Sequence, residues 1–284
     1  MFEKLGKALD SMVESVSTGL QLTEIDPHSQ AIAIPYPESD PVKVRLEMGA
    51  GRLNLKAGGS NLIEGTATYN VQEWSPETIV EGNTVTLRQG HAWNVFGFWG
   101  NYRNEWDLAL GTLRPYALHV GKGVGEGTMD LGGVPFTEAT LETGAGQSTI
   151  LFSKGNPQKA SHFTVRCGAG ETRISDLLNT NADVIMVESG TGEIRLDFSG
   201  EALTRDVLVK VAVGTGHVAI NVSPGIAVRA SVNKGLGDVR ARGNFMSMDG
   251  RVFQTNGFSS AAGPKITFEV NAGVGSVEFN TNGA

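Results

Sequence analysis

Apolar residues recur along this chain at fixed distances from a repeated Gly-x-Gly tripeptide. The tripeptide begins at Gly49, Gly123, Gly144, Gly168, Gly190, Gly214, Gly235 and Gly273, and from Gly123 to Gly235 the steps are 21, 24, 22, 24 and 21 residues. Three residues before it stand Leu46, Val120, Leu141, Val165, Val187, Val211, Val232 and Val270; five before it, Val44, Leu118, Ala139, Phe163, Ile185, Val209, Ala230 and Phe268. Four residues after the second glycine come Leu55, Met129, Ile150, Ile174, Leu196, Ile220, Ala241 and Phe279. Two after it come Leu53, Ile194, Val218, Val239 and Val277, in five of the eight copies. Alternation with period two marks a strand with one buried face. Each unit therefore predicts a strand, a glycine corner, a second strand and a turn.

A unit this short cannot bury its own apolar face, so the units must stack, each rung pairing with the next at roughly 4.8 Å. The prediction is an all-β, single-domain β-solenoid over residues 40–284. The middle residue of the tripeptide is never charged and is expected to point inward. Between Gly49 and Gly123 lie more residues than one rung needs, which predicts an insertion at about 58–116. Within it, Ile79 to Leu87 alternates around Gly82-Asn83 as a hairpin. The excess before Gly273 falls at about 243–264, rich in Gly, Ser and Asn, and predicts a surface loop. At the other end, Phe2, Leu5, Leu9, Met12 and Val16 recur at helical steps, which predicts an amphipathic helix over 1–22. Such a helix would cover an open solenoid edge; docking on a membrane surface is the alternative.

Glycine fills 38 of 284 positions, about twice its usual share, which fits the corners. The net charge of -7 argues against a nucleic-acid groove. Cys167 stands alone and allows no internal disulfide. No apolar run reaches the roughly 18 residues of a membrane span, and Glu3, Lys4, Lys7, Asp10 and Glu14 interrupt any secretory signal. The expected location is the cytoplasm, with peripheral contact at the inner membrane face through the N-terminal helix.

The run Asn104 to Leu110, then Gly123-Val-Gly125, Met129-Asp-Leu131-Gly and the stretch from Gly190 to Gly200 resemble the toast-rack family of bacterial β-solenoid domains. That family is similar to the C-terminal domain of LiaF-like, cell-wall-active-antibiotic response proteins and to adhesin-type proteins of the same repeat. The resemblance spans roughly residues 40 to 284. It implies a solenoid and an association with envelope-stress or surface systems, and it carries over no catalytic residue.

Glycines 121 to 127 lack the following helix that a phosphate cradle needs, since a period-two strand comes next. The five histidines are scattered without ligand spacing, so neither a metal site nor a cofactor site is expected. Glu171, Arg173, Glu193, Arg195, Asp197, Asp238, Arg240 and Arg242 fall on outward positions and read as a solvated charge ladder. Trp93, Phe96, Phe98, Trp99, Tyr102 and Trp106 crowd into 14 residues. They form either a minicore joining the hairpin to the first rung or a presented patch for a protein, lipid or glycan partner. The reading is a non-enzymatic interaction protein with an unknown protein or envelope component as partner and no nucleic acid. A self-assembling homo-oligomeric scaffold and a polysaccharide-acting β-helical enzyme are the alternatives.

Overall fold

The computed structural model describes residues 26–90, 102–201 and 203–281, so the helix predicted at 1–22 lies outside the described residues. Eight long strands carry the tripeptides: β2 (Val42–Ala57), β7 (Tyr116–Asp130), β8 (Phe136–Leu151), β9 (Ala160–Ser175), β10 (Ala182–Phe198), β11 (Val207–Val222), β12 (Ala227–Arg242) and β15 (Lys265–Thr281). They pair side by side in parallel, with equivalent positions opposite one another. Val187 lies opposite Val165 on one side and Val211 on the other, and Leu196 lies opposite Ile174 and Ile220. The result is an all-β, solenoid-like stack within one long sheet.

Inward positions are odd-numbered steps before the first glycine and even-numbered steps from it afterwards, so the alternation slips by one residue at each corner. The second glycine absorbs the slip. At Gly192 φ is 143°, and a Cβ there would overlap the Gly170 carbonyl oxygen of the rung below, so no side chain fits. This slip also corrects one expectation. The middle residues of the tripeptides point outward, with Val124 60% and Leu236 74% exposed, because they sit where the inward parity changes hands. The predicted inward residues Val187, Leu196, Val211 and Ile220 are all buried. Aromatic contacts tie the rungs across the core, with Phe152 edge-on to Phe163 at 5.1 Å and Phe198 edge-on to Phe268 at 5.0 Å.

The insertion builds one end of the stack. β4 (Pro76–Glu81) and β5 (Thr84–Gln89) form the hairpin that the alternation around Gly82-Asn83 predicts. β5 pairs in parallel with the leading half of β2, and β6 (Asn104–Leu110) with its trailing half. Together they take the place of one rung beside β2. β3 (Ile63–Tyr69) then pairs antiparallel with β6, and β1 (His28–Ile34) with β3.

The other end departs from simple succession. β15 lies between β11 and β12, so the last repeat in sequence is not the last in space. Polar side chains mark this order: His217 Nδ1 lies 2.8 Å from Ser276 Oγ, Lys210 Nζ is 3.4 Å from Glu269, and Arg242 Nε is 3.3 Å from Glu278. The segment predicted as a surface loop at 243–264 folds back as a second hairpin, β13 (Phe245–Ser247) and β14 (Val252–Thr255). It buries Phe253 and pairs β14 with Arg229–Ser231 of β12.

Candidate functional site

Just ahead of each corner, the first glycines of successive rungs leave a trough on the outer surface. A Cβ at Gly123 would overlap the Gly49 carbonyl oxygen, so at that corner the floor is bare backbone. Over β2 to β9 the trough has a volume of about 1140 Å³ and is bounded by Arg45, Glu47, His119, Glu142, Arg166 and Trp74. It continues for about 740 Å³ over β9 to β12, past Glu188, Asn271 and Asn233. The walls exist because outward positions two and four residues before each corner stack into columns.

These columns are charged but internally matched. Arg166 bridges three rungs, its Nη1 2.9 Å from Glu142 and its Nε 3.0 Å from Glu188. The hydrogen bond to Glu142, then that to Glu188, holds the Arg166 guanidinium above the ordinary arginine range. Arg45 lies 3.5 Å from Glu47, and Arg88 lies 2.8 Å from Glu77. On the trailing face the predicted charge ladder is present, but its ion pairs run mainly within a strand: Arg195 to Glu193 at 2.7 Å, Arg173 to Glu171 at 3.5 Å and Arg240 to Asp238 at 3.8 Å. Asp197 accepts from Asn221 Nδ2 at 2.5 Å, and Asn221 Oδ1 from Asn280 Nδ2 at 3.2 Å, extending the column across rungs.

Beneath the trough runs a polar seam, at gaps in the aliphatic repeat. The three consecutive rungs without an aliphatic residue two places after the second glycine carry Gly127, Ser148 and Thr172. On the same rungs the residue before the first glycine is Lys122, Thr143 or Cys167. Lys122 is 2% exposed, and its Nζ donates to Gly125 O at 2.7 Å. Burial pulls the Lys122 ammonium below the usual lysine range. Gly127 leaves room for its methylenes, since a Cβ there would stand 3.1 Å from Lys122 Cε. Thr172 Oγ1 lies 3.2 Å from Cys167 Sγ. Lys234 makes the same hydrogen bond at the last rung, its Nζ 2.6 Å from Gly237 O, but there the side chain is exposed.

The predicted aromatic cluster divides. Trp93, Phe96, Phe98 and Trp99 lie outside the described residues. Trp106 is fully buried in the core as part of β6 and presents no surface. Tyr102 is 47% exposed and packs on Trp74 with ring centroids 5.7 Å apart. Trp74, which places an aromatic ring on the trough wall, was not singled out by sequence: it stands alone in polar sequence, outside the crowded segment. Among the described residues no three His, Cys, Asp or Glu side chains form a metal-holding group, and no helix is long and apolar enough to cross a membrane.

Sequence comparison matches residues 23–175, which run from ahead of β1 to the end of β9, to the N-terminal domain of toast_rack, DUF2154. The chain belongs to the toast-rack family. This toast-rack protein shares its fold with a candidate cell adhesion protein from Clostridium sporogenes, at 21% identity and a TM-score of 0.50 over 90% of this chain and 100% of that one. A candidate adhesin from Bacteroides fragilis aligns with 92% of the toast-rack chain and 99% of its own, at 11% identity and a TM-score of 0.43. A candidate lipid binding protein from Parabacteroides distasonis aligns over 90% and 97%, at 10% identity and a TM-score of 0.41. No curated protein matches the toast-rack sequence.

Proposed function

We propose that this toast-rack protein is a non-enzymatic, adhesin-like module that holds an extended envelope polymer along the corner trough. The observation that carries this reading is the continuity of the trough over successive rungs, with arginines and carboxylates on its walls and Trp74 packed at a tilt against Tyr102 beside it. A repeating wall suits a ligand whose own groups repeat, and an aromatic ring offers a large contact area at low entropic cost. The wall charges are engaged with one another, as in the Glu142–Arg166–Glu188 bridge, which suits recognition by hydrogen bonding better than proton transfer. The name of the C. sporogenes neighbour agrees with an adhesive role, and the family resemblance implies an envelope-stress setting.

Cosedimentation of the purified chain with insoluble bacterial cell-wall glycan tests the proposal. Binding is expected for the unaltered protein and loss of it for Trp74→Ala and for Glu142→Ala with Arg166→Ala. Equal binding by all three, or conversion of the glycan to shorter products, would overturn it.

A further inference from the structure

The two ends of the stack are finished differently. At the β1 end, both halves of β2 are covered, the leading half by β5 and the trailing half by β6, β3 and β1. At the β12 end, β14 pairs only with Arg229–Ser231. The trailing half of β12, Leu236 to Arg242, pairs with β15 on one side, and no strand among the described residues pairs with its other side. The core is open there too. Val239 and Ala241 are half-buried, whereas their counterparts on the next rung, Val277 and Phe279, are fully buried. A bare edge of this kind is a template for another strand.

Its sequence selects the strand. We infer that this edge pairs antiparallel with the same edge of a second copy, centred on Val239. Residues directly opposite in an antiparallel pair share a face. Centring on Val239 sets Asp238 of each copy against Arg240 of the other, on the outer face, and does so twice by symmetry. On the inner face it sets Val239 against Val239 and Gly237 against Ala241, extending the apolar core across the junction. Neighbouring registers fail. Centring on Asp238 opposes two carboxylates, centring on Arg240 opposes two guanidiniums, and centring between residues sets inward positions against outward ones. Within one copy Asp238 and Arg240 make only a long contact of 3.8 Å, with side chains 72% and 61% exposed, so both are available to new partners. The arrangement is isologous and closes at two copies. It uses a surface distinct from the trough and stands independently of the adhesive reading.

Sedimentation velocity of the full chain over a concentration series tests this, with circular dichroism confirming that each variant keeps its β signal. The unaltered protein is expected to reach twice the 30.0 kDa chain mass. Arg240→Glu and Asp238→Arg should each sediment at the single-chain mass, because each creates two like-charge oppositions. Mixing these two variants restores both opposite-charge pairs and should restore the double mass as a heterodimer, as should the double variant Asp238→Arg/Arg240→Glu. Both sites are exposed, so the substitutions leave the core intact. A monomeric unaltered protein, open-ended growth, single variants that associate as well as the parent, or a mixture that stays monomeric would each overturn the inference.

Discussion

Asn104 Nδ2 donates to Gln89 Oε1 at 2.9 Å, and the two side chains stand beside the corner of β2, at the end of β5 and the start of β6. Gln89 Oε1 also accepts from the amides of Gly49 at 2.9 Å and Ala50 at 3.2 Å, and Asn104 Nδ2 donates to Ala50 O at 2.7 Å. In the regular stack those backbone groups face the next corner's backbone. Here two side-chain amides satisfy them, which lets β2 pass through its corner without leaving its polar groups bare. Asn104→Ala is expected to destabilise the chain by about 1–3 kcal/mol in urea unfolding. Gln89→Glu, which keeps the acceptor, should cost clearly less than Gln89→Ala, and equal costs would show that the acceptor is unimportant.

Leu196 and Arg195 are adjacent in sequence and face opposite sides of β10. Truncating the buried Leu196 to Ala should cost about 2–5 kcal/mol, and Arg195→Ala, whose ion pair with Glu193 is solvent-exposed and screened, far less. Denaturation midpoints measured side by side decide the matter: similar values would mean that the faces have been assigned wrongly.

Corner and turn glycines should differ in tolerance. Gly192→Ala combines a left-handed φ with overlap of the Gly170 carbonyl and should cost about 3 kcal/mol or more. Gly133, at φ 81°, has open space around a Cβ, so Gly133→Ala should cost only about 1–2 kcal/mol. A smaller loss at Gly192 than at Gly133, read from thermal unfolding, would contradict the close-approach argument.

Lys122 should give the stack a recognisable alkaline signature. Its folded-state pKa is depressed by burial from the ordinary 10.5, so between the folded value and 10.5 the unfolded chain holds more protons than the folded one. Stability relative to Lys122→Met is therefore expected to rise with pH through that window and to level off above 10.5. Chemical denaturation of both proteins at stepped alkaline pH measures the difference, and a flat difference would remove Lys122 from this role.

The inward face of every rung was legible because Val187, Leu196 and their equivalents repeat at fixed offsets, and the hairpin of β4 and β5 was legible from alternation around Gly82-Asn83. The polar seam was not read from the sequence: Gly127, Ser148 and Thr172 stand there only as gaps in an aliphatic repeat, and the structure shows Lys122 folded in beside them. The order of the last rungs was not legible. Val232 and Val270 present the same face pattern to Val211, so apolar alternation cannot choose between them. Contacts such as His217 with Ser276 mark the choice, and their partners are 59 residues apart in sequence. Trp74 escaped notice for a related reason: its neighbour Tyr102 is brought close only by the fold.

The intercalation of β15 sets the order in which the stack can be completed during synthesis. Rungs through β11 can add in the order in which they are made, each onto an edge already present. β12 cannot do so. It leaves the ribosome before the strand that must separate it from β11, so its native neighbour does not yet exist. The edge of β11 therefore waits for residues 265–281, and β12 gains its native neighbour only once β15 has been made. A nascent chain halted after Arg242 would hold β12 either undocked or misplaced on β11. The C-terminal segment thus acts as the closing wedge of the solenoid.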